Sequence, residues 1–235
     1  LNTTGAKNTA VGSLALDTNT TGDNNVAIGY DALTGNQGAD DNVAIGHQAL
    51  YTNSSGANNT AVGKNSLYYN TTASANTAVG NLALTANTTG TSNTGVGNNV
   101  LTANTTGERG TAVGTNALDA NTTANNNTAF GFDSLTATTT GQNNVAVGAY
   151  TLTANQTGND NIAIGHQALL GESGNQSCRN TVVGMTAGKC ITTATDLLAL
   201  GFGTAVNLTT GKFNTLVGGA LTGVAGATGE AMTTG

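Results

Sequence analysis

The chain has 235 residues, of which 8% are charged and 4% aromatic, with no Pro, no Trp and a net charge of -6. Only six Lys and Arg are present, and they are scattered, so the clustered cationic surface that nucleic acid needs is excluded as an expectation. No apolar run approaches the roughly 20 residues that cross a bilayer, so no membrane insertion of this segment is expected.

The chain opens inside a repeat, at Leu1-Asn2-Thr3-Thr4-Gly5, which reads as a processed or excerpted piece of something longer. The repeat is clearest at Asn25-Val26-Ala27-Ile28-Gly29, which returns at Asn42-Val43-Ala44-Ile45-Gly46 and Asn161-Ile162-Ala163-Ile164-Gly165. Closing glycines fall every 17 residues from Gly12 to Gly165, and after one 19-residue step the series resumes at Gly184, Gly201 and Gly218. A strict period of this length is the signature of a stacked repeat. Apolar residues held in phase argue against disorder, despite the Gly/Asn/Thr bias.

One unit, 8–24, reads as strand, Leu-containing arm and turn. The strand is short, β-rich and alternating. Its last residue is apolar in every copy, from Val11 to Val217, and an equally persistent leucine runs from Leu16 to Leu169. Asn-Thr-Thr-Gly turns, as at Asn19, Asn87 and Asn104, supply residues that tolerate positive φ. A turn in every unit would break helices, and a hairpin meander would put identical residues out of register. The prediction is all-β: a parallel β-solenoid of about 13 coils, each stacked ~4.8 Å above the last, in a rod of about 60 Å.

In this reading the Val/Ile and Leu columns point inward and form the core. The Asn column at the strand start (Asn8, Asn25, Asn42 and onward) ladders through its amides. Ala10, Ala27, Ala44, Ala61, Ala78, Ala112, Ala129, Ala146, Ala163 and Ala199 alternate with the inward column and are expected outside. Their small size then implies packing against sister chains around an axis, or else a flattened coil with little room there.

The regular solenoid is assigned to 1–184, degenerate coils of the same solenoid to 185–223, and a Gly/Ala-rich cap, linker or junction to 224–235. Cys178 and Cys190, the only two cysteines, flank a strand in adjacent turns and are a candidate disulfide that would suit an extracellular protein. Beyond Gly184 the columns degrade, with Gly188 and Ala205 in the Leu column and Leu197 in the Asn column. Asn2, Asn19, Asn53, Asn70, Asn87, Asn104, Asn121 and Asn155 share one turn position and each begins a glycosylation sequon. They are candidate N-glycan carriers, against the plain reading of favourable turn chemistry.

Catalytic chemistry is not apparent. His47 and His166 share a repeat position but lie seven coils apart, on the order of 30 Å, too far to share a metal or a reaction. Acids are scattered, and Asp23, Asp40 and Asp41 read as solvated loop residues. No P-loop, nucleophile elbow, zinc spacing or calcium nonapeptide occurs. The expectation is no enzyme, no cofactor and no metal site.

The Asn-x-Ala-Ile/Val-Gly strand with its Gly-rich turn resembles the head repeats of trimeric autotransporter adhesins, and the similar repeats of bacteriophage tail fibres and other surface fibres. The resemblance covers residues 2–184 well and 185–223 loosely. It implies a left-handed parallel β-roll, three chains around an axis, and a place outside the cell or on a virion. The period of 17 departs from the 14 or so of those heads, and neither a coiled-coil stalk nor an anchor is visible. The expected role is a non-enzymatic structural or adhesive rod of a fibre or filament. Its expected partners are its own copies, as a homotrimer first and a filament next, and a host surface or glycan. Contacts to such a target would come from the outward positions after the closing Gly: Tyr30, His47, Lys64, Phe132, His166 and Phe202. The alternative is an ice-binding solenoid with a Thr ladder (Thr9, Thr60, Thr77, Thr94, Thr111, Thr128, Thr181, Thr215), interrupted by Val26, Val43, Val145, Ile162 and Leu198. A polysaccharide-processing solenoid enzyme would need clustered carboxylates that the sequence does not show.

Overall fold

A computed structural model describes residues 2–171 and 176–219. Thirteen strands of three residues, from β1 (Thr9–Val11) to β13 (Thr215–Val217), form one parallel sheet in strictly sequential order. Each strand pairs in register with its copy in the next coil, as Ala27 with Ala44 and Ile28 with Ile45. The longer step between β10 (Ile162–Ile164) and β11 (Thr181–Val183) leaves that register intact. The described residues contain no helix. The β-solenoid and its 17-residue period are therefore as the sequence predicts.

The core differs from the prediction in one respect. The Ala column lies inside, with Ala27, Ala44, Ala61, Ala78, Ala112, Ala129, Ala146, Ala163 and Ala199 fully buried. The Val/Ile column lies outside, with Val11, Ile28, Ile45, Val96, Phe130, Val147, Ile164 and Val217 among the exposed apolar side chains. The coil is too narrow for two large columns to meet. A Cβ added at Gly95, which stands in the Ala column, would already lie 3.1 Å from Val100 and 3.5 Å from Leu84. The Leu column fills the space, and only a methyl fits opposite it.

The Leu column is inside, as expected, but on a backbone that leucine does not favour. Leu33, Leu50, Leu67, Leu84, Leu101, Leu118, Leu135, Leu152 and Leu169 are fully buried, with φ between 49° and 53°. A left-handed residue with a Cβ costs about 1–2 kcal/mol. Burying a leucine gains about 1.5–3 kcal/mol, so burial wins at this position. No such exchange is open at the closing glycines: at Gly97 (φ 144°) a Cβ would lie 2.6 Å from the Gly114 carbonyl oxygen of the next coil.

Two amide ladders complete the interior. At the strand start, Asn25 Oδ1 accepts the Asn42 N–H at 3.0 Å, and Asn42 Nδ2 donates to the Gly56 carbonyl at 3.0 Å. At the turn, Asn53, Asn70, Asn87 and Asn104 are buried. Each donates Nδ2 to the carbonyl three residues on and to Oδ1 of the preceding Asn, as Asn87 does to Gly90 (2.9 Å) and Asn70 (3.0 Å). The carbonyls of each turn thus find donors inside the coil, where water cannot reach them.

The degenerate coils keep the path and exchange the filling. Gly188 and Ala205 give up the leucine, while Ile191 and Leu197 take the two Asn positions and are buried, and Leu208 packs beside them. Apolar volume lost from one column returns from two others. The proposed cap at 224–235 lies outside the described residues, as does 220–223 of the preceding segment.

Candidate functional site

The sheet presents one continuous outer face. The first and third residues of all thirteen strands point outward, and every one of them is Thr, Val, Ile, Leu or Phe. No charge or amide interrupts the two columns. Exposures of 36% at Ile45, 39% at Ile164 and 55% at Phe130 leave substantial apolar area in water. Thr60, Thr77, Thr94 and Thr128 stand half-buried in the first column.

A second surface runs along the arm beyond the closing glycines. Tyr30, His47, Lys64, Phe132, His166 and Phe202 are all exposed there, as the sequence predicts. The rings meet across coils: Tyr30 stacks on His47 at 5.4 Å, Phe132 meets Tyr150 edge-on at 5.3 Å, and Tyr150 meets His166 at 6.0 Å. Tyr51, Tyr68 and Tyr69 form a further cluster, with centroids 5.0 and 4.6 Å apart. Burial and then the neighbouring Tyr51 raise the Tyr68 phenol above its usual range. None of the aromatic residues belongs to the core. His47 and His166 stay in separate clusters, and among the described residues no group of three acids, histidines or cysteines is placed to hold a metal.

One carboxylate, Asp133, stands beside the Phe132 cluster. Asp133 Oδ1 accepts the Asn116 amide at 2.9 Å, and its carbonyl accepts the Thr153 hydroxyl at 3.2 Å. Asp119 is raised above the usual carboxylate range by burial, and secondarily by the charge of Asp133, against an opposing backbone hydrogen bond at Ala120. The sequence gives no sign of this coupling, because the two acids are 14 residues apart and lie in adjacent coils. The acids at Asp23 and Asp40 have structural work instead, accepting the backbone N–H groups of Ala6 and Asp23 at 2.6 and 2.7 Å. Further along, Arg179 grips Asp196 with two hydrogen bonds of 2.7 and 3.0 Å, which holds that carboxyl below its usual range.

The other two sets of candidate residues lie at the turns. Cys178 and Cys190 are not bonded to one another in the structure. Cys190 lies on the arm entering a turn, whereas Cys178 pairs with Thr195 on the arm leaving it, where its Sγ accepts the Asn159 N–H at 3.4 Å. The sequon asparagines Asn19, Asn53, Asn70, Asn87, Asn104, Asn121 and Asn155 are buried in the turn ladder. Glycosylation at these seven positions would have to replace an Nδ2 proton that is bonded inside the coil. Asn2 is exposed, although its Nδ2 also donates, to Gly5 at 2.7 Å.

The geometry is that of a rod with an apolar face on one side and a ring-bearing edge beside it. No family model matches the chain, and neither a curated protein nor a solved structure matches it.

Proposed function

We propose that the chain is a non-enzymatic structural rod of an extracellular fibre or filament, assembled from copies of itself through the outer face of the sheet. The observation that carries this reading is the composition of that face, Thr, Val, Ile, Leu and Phe without a break. Thirteen strands at ~4.8 Å make a stripe about 60 Å long. With a width of about 10 Å its area is on the order of 600 Å², at the upper end of the largest apolar patch a monomer typically leaves in water. A three-fold arrangement brings three such stripes to one axis, and a homotrimer is the assembly proposed, with a filament as the next choice. The exposed Val/Ile column takes the role that the buried Ala column cannot.

Light scattering on the native protein tests this. A mass of three chains is expected, falling to one chain in Ile45→Asp/Ile164→Asp, since a charge in each copy's stripe would be buried unpaired at the axis. A monomeric wild-type protein removes the proposal. An ice-binding role is the second reading, and the outward direction of both strand columns favours it: Thr and Val/Ile side chains repeat side by side at one strand spacing. Thermal hysteresis from a monomeric chain, abolished by Thr94→Asp, would support that role instead.

A further inference from the structure

The aromatic residues are placed where the fold does not use them. The core is closed mainly by Leu, Ala and Asn, with a few Val, Ile, Ser and Thr and no aromatic residue, so the exposed rings are free to serve recognition. One three-ring cluster lies off the sheet face, on the arm past Gly131, Gly148 and Gly165. Phe132, Tyr150 and His166 rise through three successive coils with centroid steps of 5.3 and 6.0 Å, while Phe132 is 43% and Tyr150 38% exposed. Asp133 stands one coil from Tyr150 in the same column, oriented by Asn116.

We propose that Phe132, Tyr150, His166 and Asp133 form a binding site for a neutral carbohydrate. The inference rests on the rod being an exposed surface fibre. A sugar ring offers an apolar C–H face and a rim of hydroxyl donors. Exposed ring faces and edges take the first, as amphipathic aromatics do elsewhere, and carboxylates are acceptor-only groups that take the second. Charge selects among glycans. No Lys or Arg occurs between Arg109 and Arg179, and the chain carries a net charge of -6, so sialylated, uronate and sulfated glycans meet only repulsion here. The Tyr30–His47 pair, six coils earlier, is stacked face to face, but its carboxylate Asp31 is buried and accepts the Gln48 amide at 3.3 Å. The Phe132 cluster is therefore the site whose acceptors a ligand can reach.

The test is a glycan array carrying neutral hexose and N-acetylhexosamine oligomers beside sialylated, uronate and sulfated ones, probed with the full chain. Retention on neutral glycans is expected, weakened at least tenfold by Tyr150→Ala and by Asp133→Asn, with Phe132→Ala as a second ring variant. Light scattering on each variant should return the wild-type mass. Retention on anionic glycans only, on none, or equally by wild type and variants overturns the site. A chain that assembles but holds no neutral glycan removes this inference and leaves the rod. A monomer that holds the glycans does the reverse.

Discussion

Asn87→Ala tests whether the buried amide ladder holds the coils together. The Asn87 side chain donates to the Gly90 carbonyl (2.9 Å) and to Asn70 Oδ1 (3.0 Å), and accepts from Asn104 Nδ2 (2.8 Å). Alanine removes all three bonds, leaving Asn70 Oδ1 without a partner and one Asn104 Nδ2 proton unbonded where water does not reach, while the Gly90 carbonyl keeps the Asn76 amide and Asn104 keeps Gly107. Each stranded group costs about 1–3 kcal/mol, so after relaxation a loss of about 3 kcal/mol is expected. For a chain of this size that corresponds to roughly 6–12 °C in Tm. The matched control is Asn126→Gly. Asn126 also ladders, accepting from Arg109 Nε at 2.8 Å and donating to Asn143 at 3.0 Å, but it does so in solvent. Glycine keeps its left-handed φ of 60°, so the loss there should stay below about 1 kcal/mol. Equilibrium urea unfolding followed by far-UV circular dichroism compares the two. Equal midpoints for both variants would refute the view that desolvation, rather than the number of hydrogen bonds, gives this ladder its weight.

Three further outcomes follow from the same geometry. Gly97→Ala should cost at least about 2 kcal/mol or abolish soluble expression, because φ 144° disfavours a Cβ and the next coil's carbonyl lies 2.6 Å from it; a thermal melt reads this. Asp119→Asn should stabilise the fold at neutral pH. The folded-state pKa of Asp119 is raised, so its contribution is full below the unfolded value near 3.9 and is lost as pH rises through the folded value, and the gain from the amide should fade in acid. Cys178→Ser and Cys190→Ser should each leave Tm unchanged within about 1 °C, and the wild-type protein should titrate two thiols with a disulfide-exchange reagent under denaturing, non-reducing conditions.

Much of the fold is legible in the sequence because a parallel stack turns sequence period into spatial column. The 17-residue step fixes the register of β1 to β13, and the glycine at each closing position reports the close approach of coils. The ring-bearing edge is legible for the same reason. Tyr30, Phe132 and Phe202 sit past the closing glycine, at a position that accepts any size of side chain. The Asp119–Asp133 pair is not legible, since it depends on where two arms of different coils pass each other. Nor is the burial of the sequon asparagines. An Asn-x-Thr signal reads alike whether the amide faces water or the turn's own carbonyls, and only the path of the backbone between Asn87 and Gly90 separates the cases.

The side of the sheet that faces inward is the instructive case. Alternation along a strand states which residues share a face, but it does not say which face is inside. Hydrophobicity favours burying Val and Ile over Ala, and that criterion fails here because the coil is narrow and already filled by leucine. Volume is the better guide. In the regular coils the middle strand residue is Ala, with one Gly, whereas the last residue ranges over Val, Ile and Phe. A column limited to a methyl or less marks a wall close by. A column that accepts a phenyl in place of an isopropyl, as at Phe130 between Val113 and Val147, marks open space. In the degenerate coils the same relation runs in reverse. Once the leucine column gives way to Gly188 and Ala205, larger middle residues appear, Val182 in the coil of Gly188 and Leu216 just beyond Ala205. Interior volume is shared among the columns, so a gain in one requires a loss in its neighbour, and that exchange locates the core where polarity alone does not.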